Sequence, residues 1–235
     1  MAIKPLYLLA DSQLLFLKEE ERLFTERIRA DLDSTEPKAA YLGASNGDEP
    51  TFYSIFEAAM EAIGISERRM IPTRPSNDDL AFLQSADLVL LAGGNVEQGW
   101  RAFEQNGVKE LISRRRYDGV VLVGISAGAV QLGLGTMVEP VAESSAVKRS
   151  ELFRFAPFYI GAHEEQDEWW NLKLLVNSSQ VDARGIGIPA GGGAVYSSDG
   201  SLEPIRKPLI EFLKEDGQLR ESLVVPEGGV HWVSG

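Results

Sequence analysis

Ser126 stands in the pentapeptide Gly124-Ile-Ser-Ala-Gly128, directly after the apolar run Gly119-Val-Val-Leu-Val-Gly124. A buried strand that turns into a helix through Gly-x-Ser-x-Gly holds its serine on a sharp bend. The flanking positions are small because the backbone folds back on itself there. The hydroxyl is left exposed at the carboxyl end of the strand, and the start of the helix lies beneath it, where developing negative charge is favoured. A serine hydroxyl becomes a nucleophile when a base takes its proton, and that base is most often histidine. The chain has two histidines, His163 and His231, and no cysteine. The missing cysteines exclude thiolate nucleophiles, disulfides and Cys-ligated zinc.

The two histidines imply different architectures. His231, in Val230-His-Trp-Val233, would complete the order Ser, Asp, His of an α/β-hydrolase esterase, with Asp182 or Asp199 as the acid. Such enzymes carry part of the oxyanion hole in a loop well before the elbow. Here the only Gly-Gly pair of the N-terminal half, Gly93-Gly94, follows the strand just before it. His163 ends the strand-like run Ala156-Pro-Phe-Tyr-Ile-Gly-Ala162, which would carry its side chain to a sheet edge. His163 is therefore the preferred base.

The elements that must position these groups alternate in βαβ fashion. Leu6–Ala10, Lys38–Ala44, Asp87–Ala92 and the elbow run read as strands, with Met70–Pro72 as a shorter one. Leu17, Phe24, Ile28 and Leu32 recur at helical spacing. Phe52, Ile55, Phe56, Ala59 and Ile63 line one face of a second helix closed by Gly64. Asn95 can cap a helix to about Gln105, and Val108–Arg116 is helical. After the elbow, Thr136–Ala162 reads as irregular and Asp167–Asn177 as helix. Gly185–Tyr196 and Leu202–Ile205 read as a hairpin around Ser197-Ser-Asp-Gly200, with Gly191-Gly-Gly193 a flexible turn. Lys207–Lys214 reads as a last helix, and Leu223–Pro226 and Val230–Val233 as terminal strands. The expectation is a single α/β domain over residues 1–235, with a mostly parallel sheet flanked by helices. Sites in such sheets lie at the carboxyl edge, where both Gly93-Gly94-Asn95 and Ser126 fall.

Composition narrows the partners. The net charge is −12, and Arg114-Arg115-Arg116 is the one basic cluster, placed where a helix C-terminus favours cations, so nucleic acid is excluded. The run Lys18-Glu-Glu-Glu-Arg22 reads as a solvated helix face. No apolar run is long enough to span a membrane and no signal-peptide pattern opens the chain, so a cytoplasmic protein is expected. No His-x-x-x-His or carboxylate cluster suggests a metal, and no Gly-rich loop followed by Lys-Ser/Thr suggests a nucleotide, so no cofactor is expected.

Gly124-Ile-Ser-Ala-Gly-Ala129, the strand ending in Gly93-Gly94-Asn95 and a histidine 37 positions after the serine (163 − 126) together resemble peptidase family S51. That family includes dipeptidase E and cyanophycinase, on a class I glutamine amidotransferase-like, flavodoxin-like three-layer fold. The resemblance runs from the first strand to about Val195. It implies a serine peptidase with Ser126 as nucleophile, His163 as base and then acid, and the amides of Gly94 and Ala127 as oxyanion hole. Its orienting carboxylate falls shortly after the elbow, at Glu139 or else Glu143. Asn95, Glu164 and Trp169 are the candidate substrate contacts, and of Trp169 and Trp170 at most one faces a pocket. Family members often carry arginines near the histidine that hold an acidic substrate side chain. Here Glu164-Glu-Gln-Asp-Glu-Trp-Trp170 stands instead, which removes that basis for acidic selectivity. The family's usual acidic residue is likewise missing where Ile188-Pro189 leads into Ala190. The substrate expected is a small peptide or peptide-like polymer, and a homodimer is possible for this fold. A non-catalytic binding protein that keeps the elbow is the rival from another class.

Overall fold

The structure, a computed structural model, describes residues 2–19, 21–138 and 148–226. Strand β1 (Leu6–Leu9) is wholly buried, as expected of a short apolar run covered on both faces. A 3-10 turn over Ser12–Phe16 follows, opened by Asp11, whose carboxylate accepts from the Gln13 amide. β2 (Lys18–Glu19) and β3 (Arg22–Leu23) make a small hairpin before α1 (Phe24–Ala30). β4 (Lys38–Leu42) leads to α2 (Pro50–Ala62), whose first residue is a proline, placed where its missing N–H has no intrahelical partner to lose. β5 (Glu67–Ile71) and α3 (Asn77–Ser85) follow, the latter started by reciprocal bonds between Ser76 and Asp79.

β6 (Leu88–Leu91) runs into α4 (Val96–Gln105), which Asn95 caps, and α5 (Val108–Tyr117) returns to β7 (Val121–Ile125). The elbow joins β7 to α6 (Ala127–Leu132). Then come β8 (Gly135–Val138), β9 (Lys148–Glu151), β10 (Tyr159–Ala162) and α7 (Trp170–Asn177). β11 (Ala183–Ile188), β12 (Gly193–Tyr196), β13 (Leu202–Ile205), β14 (Leu209–Glu215) and β15 (Gln218–Val224) complete the described chain.

The principal sheet has the order β13-β12-β1-β7-β6-β4-β5. Its five strands from β1 to β5 in that order are parallel, and β12 and β13 add an antiparallel edge. The two faces separate by the period of two along each strand. Leu6, Leu8 and Ala10 of the β1 segment pack with Trp100, Phe103, Ile112 and Val130 of α4, α5 and α6. Tyr7 and Leu9 pack on the other side with Ile28 of α1 and Phe56 and Met60 of α2. The result is the expected three-layer α/β arrangement. A second sheet, β10-β11-β14-β15, carries α7 through Trp169, Leu172, Val176 and Phe212. Among the described residues no helix is long and apolar enough to cross a membrane.

Several expectations need correction. Lys207–Lys214 is not a helix. Its apolar residues lie in β14, paired antiparallel with β11 and β15, so Leu209 and Phe212 are buried by long-range pairing rather than on a helix face. The helical spacing from Leu17 to Leu32 holds only across α1; its first part, including Lys18 of the acidic run, is the β2–β3 hairpin. Gly185–Tyr196 is not one strand, because β11 belongs to the second sheet and β12 to the first. Thr136–Ala162 contains β8, β9 and β10 rather than irregular chain throughout. Val230–Val233, and with it His231, lies outside the described residues.

Candidate active site

The elbow is a tightly packed bend. Ser126 has φ 49° and ψ −111°, a conformation that L-residues rarely adopt. Such a residue costs about 1–3 kcal/mol, which the surroundings must over-determine. Here they do. The Ser126 amide donates to the Leu9 carbonyl on β1 at 2.8 Å, and its carbonyl accepts from Val130 at 3.1 Å. A Cβ on Gly124 would lie 2.6 Å from the Ala129 backbone, and one on Gly128 would lie 2.1 Å from the Leu91 carbonyl oxygen. Both glycines are thus required by the close return of α6 over β7 and β6. Burial of Leu8, Leu9, Leu91, Leu122 and Val123 around the bend, at about 1.5–3 kcal/mol each, outweighs the strain.

His163 arrives from the second sheet. It follows β10 directly, with φ 48°, and its amide donates to the Ile188 carbonyl at the end of β11. That anchoring turns the imidazole toward the principal sheet. Ser126 Oγ and His163 Nε2 are 2.7 Å apart, within hydrogen-bonding range for a nucleophile and its base. Ser126 is half-buried and His163 exposed, so both are open to a substrate. Among the described residues no carboxylate is hydrogen-bonded to the His163 ring. Glu139 and Glu143 lie outside those residues.

Gly94 and Ala127 flank the serine. Gly94 has φ 130°, and a Cβ there would lie 2.1 Å from the Ser45 carbonyl oxygen, so only glycine fits. A Cβ on neighbouring Gly93 would touch Ser126 Cβ at 3.3 Å, which places this turn against the nucleophile. Among the described residues neither the Gly94 nor the Ala127 amide donates to another protein group. A buried glutamine holds the turn in place: Gln131 Nε2 of α6 donates to Ser45 Oγ and to the Val96 carbonyl, both at 3.1 Å. Gln131 and Ser45 belong to no sequence motif. A lone polar residue within the run Ala127–Leu132, otherwise small or apolar, was the available signal.

Asn95 caps α4 by accepting from the Gln98 amide at 2.9 Å, and it stands at the rim beside Gly94. Trp169 is buried under β11, where a Cβ on Gly187 would lie 2.7 Å from its ring, while Trp170 is 60% exposed; neither lines the pocket at Ser126. The Glu164 carboxyl folds back against Gly161 and α7, and its Oε2 is buried without a partner.

Burial pushes the Glu164 carboxyl above its ordinary range; the Leu172 backbone and His163 pull the other way without cancelling it. A carboxyl whose folded pKa is raised binds its proton more tightly in the fold than in the unfolded chain. Its contribution to stability is therefore greatest at acid pH and falls as pH rises through the raised value. Glu164→Gln is expected to raise Tm at pH 8 by about 2 °C, with the gap closing toward pH 4 in a pH series of thermal melts.

Asp11 also lines the site. It follows β1, and its second carboxylate oxygen accepts from the Gly191 amide at 2.5 Å. With the Ala10 amide bonded to the Gly192 carbonyl and Glu165 bonded to the Ala190 amide, this pins the Ala190–Gly192 turn beside the site. The glycine run is thus not the flexible hairpin turn expected: Ala190–Gly192 is a tied-down link between two sheets, and Gly193 already opens β12. Beside Ser126 and His163 opens a cavity of about 230 Å³ at the carboxyl edge of β1, β4, β6 and β7. Among the described residues no group of three or more His, Asp or Glu side chains has the spacing of a metal site.

A family model described as peptidase family S51 matches residues 6–205. Over 96 residues the chain is 25% identical to the uncharacterized peptidase YgaJ of Bacillus subtilis (strain 168), a stretch covering 40% of this chain and 42% of that relative. The matched stretch is thus less than half of that relative's length. A peptidase from an acI-B1 Actinobacterium has a similar structure, with TM-score 0.72 and 14% identity over 97% of each chain. So does a candidate peptidase E from Listeria monocytogenes EGD-e, with TM-score 0.64 and 16% identity over 88% of this chain and 100% of that one. At these identities the likeness speaks to fold.

Proposed function

The chain belongs to peptidase family S51, and from that premise we propose that it is a serine-type peptidase that hydrolyses an amide bond of a small peptide or peptide-like polymer through an acyl-enzyme. The observation that carries the reading is the 2.7 Å approach of Ser126 Oγ to His163 Nε2 at a strained elbow. His163 Nε2 takes the hydroxyl proton as Oγ attacks the substrate carbonyl carbon. The carbonyl π electrons move to the oxygen, which is stabilised by the Gly94 and Ala127 amides. Each such donor, fixed before reaction, is worth about 3–4 kcal/mol in comparable sites. Collapse of the tetrahedral species breaks the C–N bond, and the imidazolium gives its proton to the leaving amine. Water, deprotonated by the same imidazole, then releases the acid and restores Ser126. The proposed third member is Glu139, with Glu143 second, orienting the imidazole.

Fluorophosphonate labelling tests the reading, because such probes report an activated serine. One equivalent is expected to attach to the wild-type protein and none to Ser126→Ala. His163→Ala is expected to slow labelling at least a hundredfold, while His231→Ala leaves it unchanged. Labelling that survives Ser126→Ala, or dependence on His231 instead of His163, would reject the assignment.

A further inference from the structure

The cavity beside Ser126 has the wrong chemistry for an acidic side chain. Its floor and wall are Leu15, Tyr41, Phe52, Ile55, Phe56 and Leu90. Two of these are not fully buried. Phe52, Ile55, Phe56 and Ala59 share the apolar face of α2, and Phe56 and Ala59 are buried against the sheet. In the N-terminal half of α2, by contrast, Phe52 is 50% exposed and Ile55 half-buried, and both line the cavity. Besides His163 and the Tyr41 phenol, the one ionisable side chain among the lining residues is Asp11, a carboxylate. No lysine or arginine is among the lining residues, and Arg206 and Lys207, beside the Ala190–Gly192 turn, donate to the Gly191 and Ala190 carbonyls at 3.5 and 2.6 Å. An acidic side chain entering here would lose its water, meet no guanidinium or ammonium among the lining residues, and sit near Asp11. Pockets for drug-sized ligands run about 300–1,000 Å³, so a cavity of about 230 Å³ suits one amino-acid side chain.

We propose that this cavity takes the side chain of the residue whose carbonyl Ser126 attacks, and that it selects an aliphatic or aromatic side chain over an acidic one. This rests on the serine-peptidase reading above. The cost of stripping a carboxylate without pairing it is what separates the two substrates.

The test compares kcat/KM for the dipeptides Phe-Leu, Leu-Leu, Asp-Leu and Lys-Leu with wild type, Ser126→Ala and Phe52→Arg. Phe-Leu or Leu-Leu is expected to exceed Asp-Leu by about 10- to 100-fold or more, the penalty of burying a charged group without a partner. Phe52 is half-exposed, so Phe52→Arg is expected to fold; it should lower the rate for Phe-Leu about tenfold and raise that for Asp-Leu. Ser126-dependent cleavage that favours Asp-Leu overturns the inference and leaves the serine reading intact. Cleavage of Phe-Leu that persists in Ser126→Ala overturns both. If no dipeptide is cleaved, calorimetry with Ser126→Ala decides. Tighter binding of Phe-Leu than Asp-Leu supports the pocket while the catalytic reading falls, and absence of Phe-Leu binding overturns the pocket too.

Discussion

Replacing Ser126 by alanine is expected to lower kcat/KM by about ten-thousandfold or more while changing Tm by less than about 2 °C. The size follows from the role: without the oxygen no acyl-enzyme forms, and what remains comes from the oxyanion amides and binding alone. The small stability change follows from the surroundings. The Ser126 hydroxyl bonds to His163 at the surface of the cavity, and the bend itself is held by backbone bonds to Leu9 and Val130 that alanine keeps. His163→Ala should lose a similar factor. The double variant should be no worse than either single one, because both remove the same step. Steady-state kinetics with a cleaved dipeptide, together with thermal melts, check all three. Effects that multiply would mean that serine and histidine act separately.

Gly128→Ala is the second large effect, this time on the fold. An added Cβ would lie 2.1 Å from the Leu91 carbonyl oxygen and 2.6 Å from its carbon. Backbone, not a flexible side-chain end, stands in the way, so α6 must lift from β6 or the strand must shift. Overpacking of this kind costs about 1–3 kcal/mol, and a backbone obstacle puts this site at the upper end. A fall in Tm of roughly 6–12 °C is expected for a chain of this length. Activity should fall about a hundredfold in the folded fraction, because the elbow moves with α6. Gly64→Ala is the control. Gly64, unlike the helical Gly128, has a positive φ, 74°, and a Cβ there meets nothing within 4 Å. It should cost about 1 kcal/mol and leave activity unchanged. Gly128→Ala no more harmful than Gly64→Ala would mean that the approach to Leu91 does not make Gly128 necessary.

The elbow was readable from sequence because its constraint is local. Gly124 and Gly128 touch residues within five positions or on the adjacent strand, and no side chain larger than hydrogen fits. The buried parallel strands β4, β6 and β7 were readable for a similar reason, since strands covered on both faces are apolar at every position. α3 was missed although Ser76 and Asp79 form a capping box at its start, a signal present and unused. β14 was misread because Leu209, Ile210, Phe212 and Leu213 suit either a helix face or a strand with two partners. The choice was made by pairing with β11, some 25 residues earlier, which local spacing does not report. The second sheet as a separate body was hidden for the same reason. The division between β11 and β12 occurs at Pro189–Gly192, a turn that also reads as an ordinary hairpin.

At the site, Ser126 and His163 were legible as residue types placed at strand ends. The cavity was not. Phe52 and Ile55 have the spacing of core residues, and only the tertiary structure puts them at the cavity. Asp11, Ser45 and Gln131 act through backbone groups of distant segments, so their neighbours in sequence carry little sign of the role. Trp169 looked like a pocket wall because tryptophan often is one. Gly187 supplies the space that takes it into the second sheet instead.

The central claim is that an alcohol on the β7–α6 bend carries the acyl group. An activated ester of an N-blocked apolar amino acid, mixed with the protein and quenched in acid within the first turnover, tests it by mass-mapped digestion. The acyl mass is expected on the peptide containing Ser126, at close to one equivalent. Turnover with that peptide unmodified, or with the acyl group on another residue, would contradict the account.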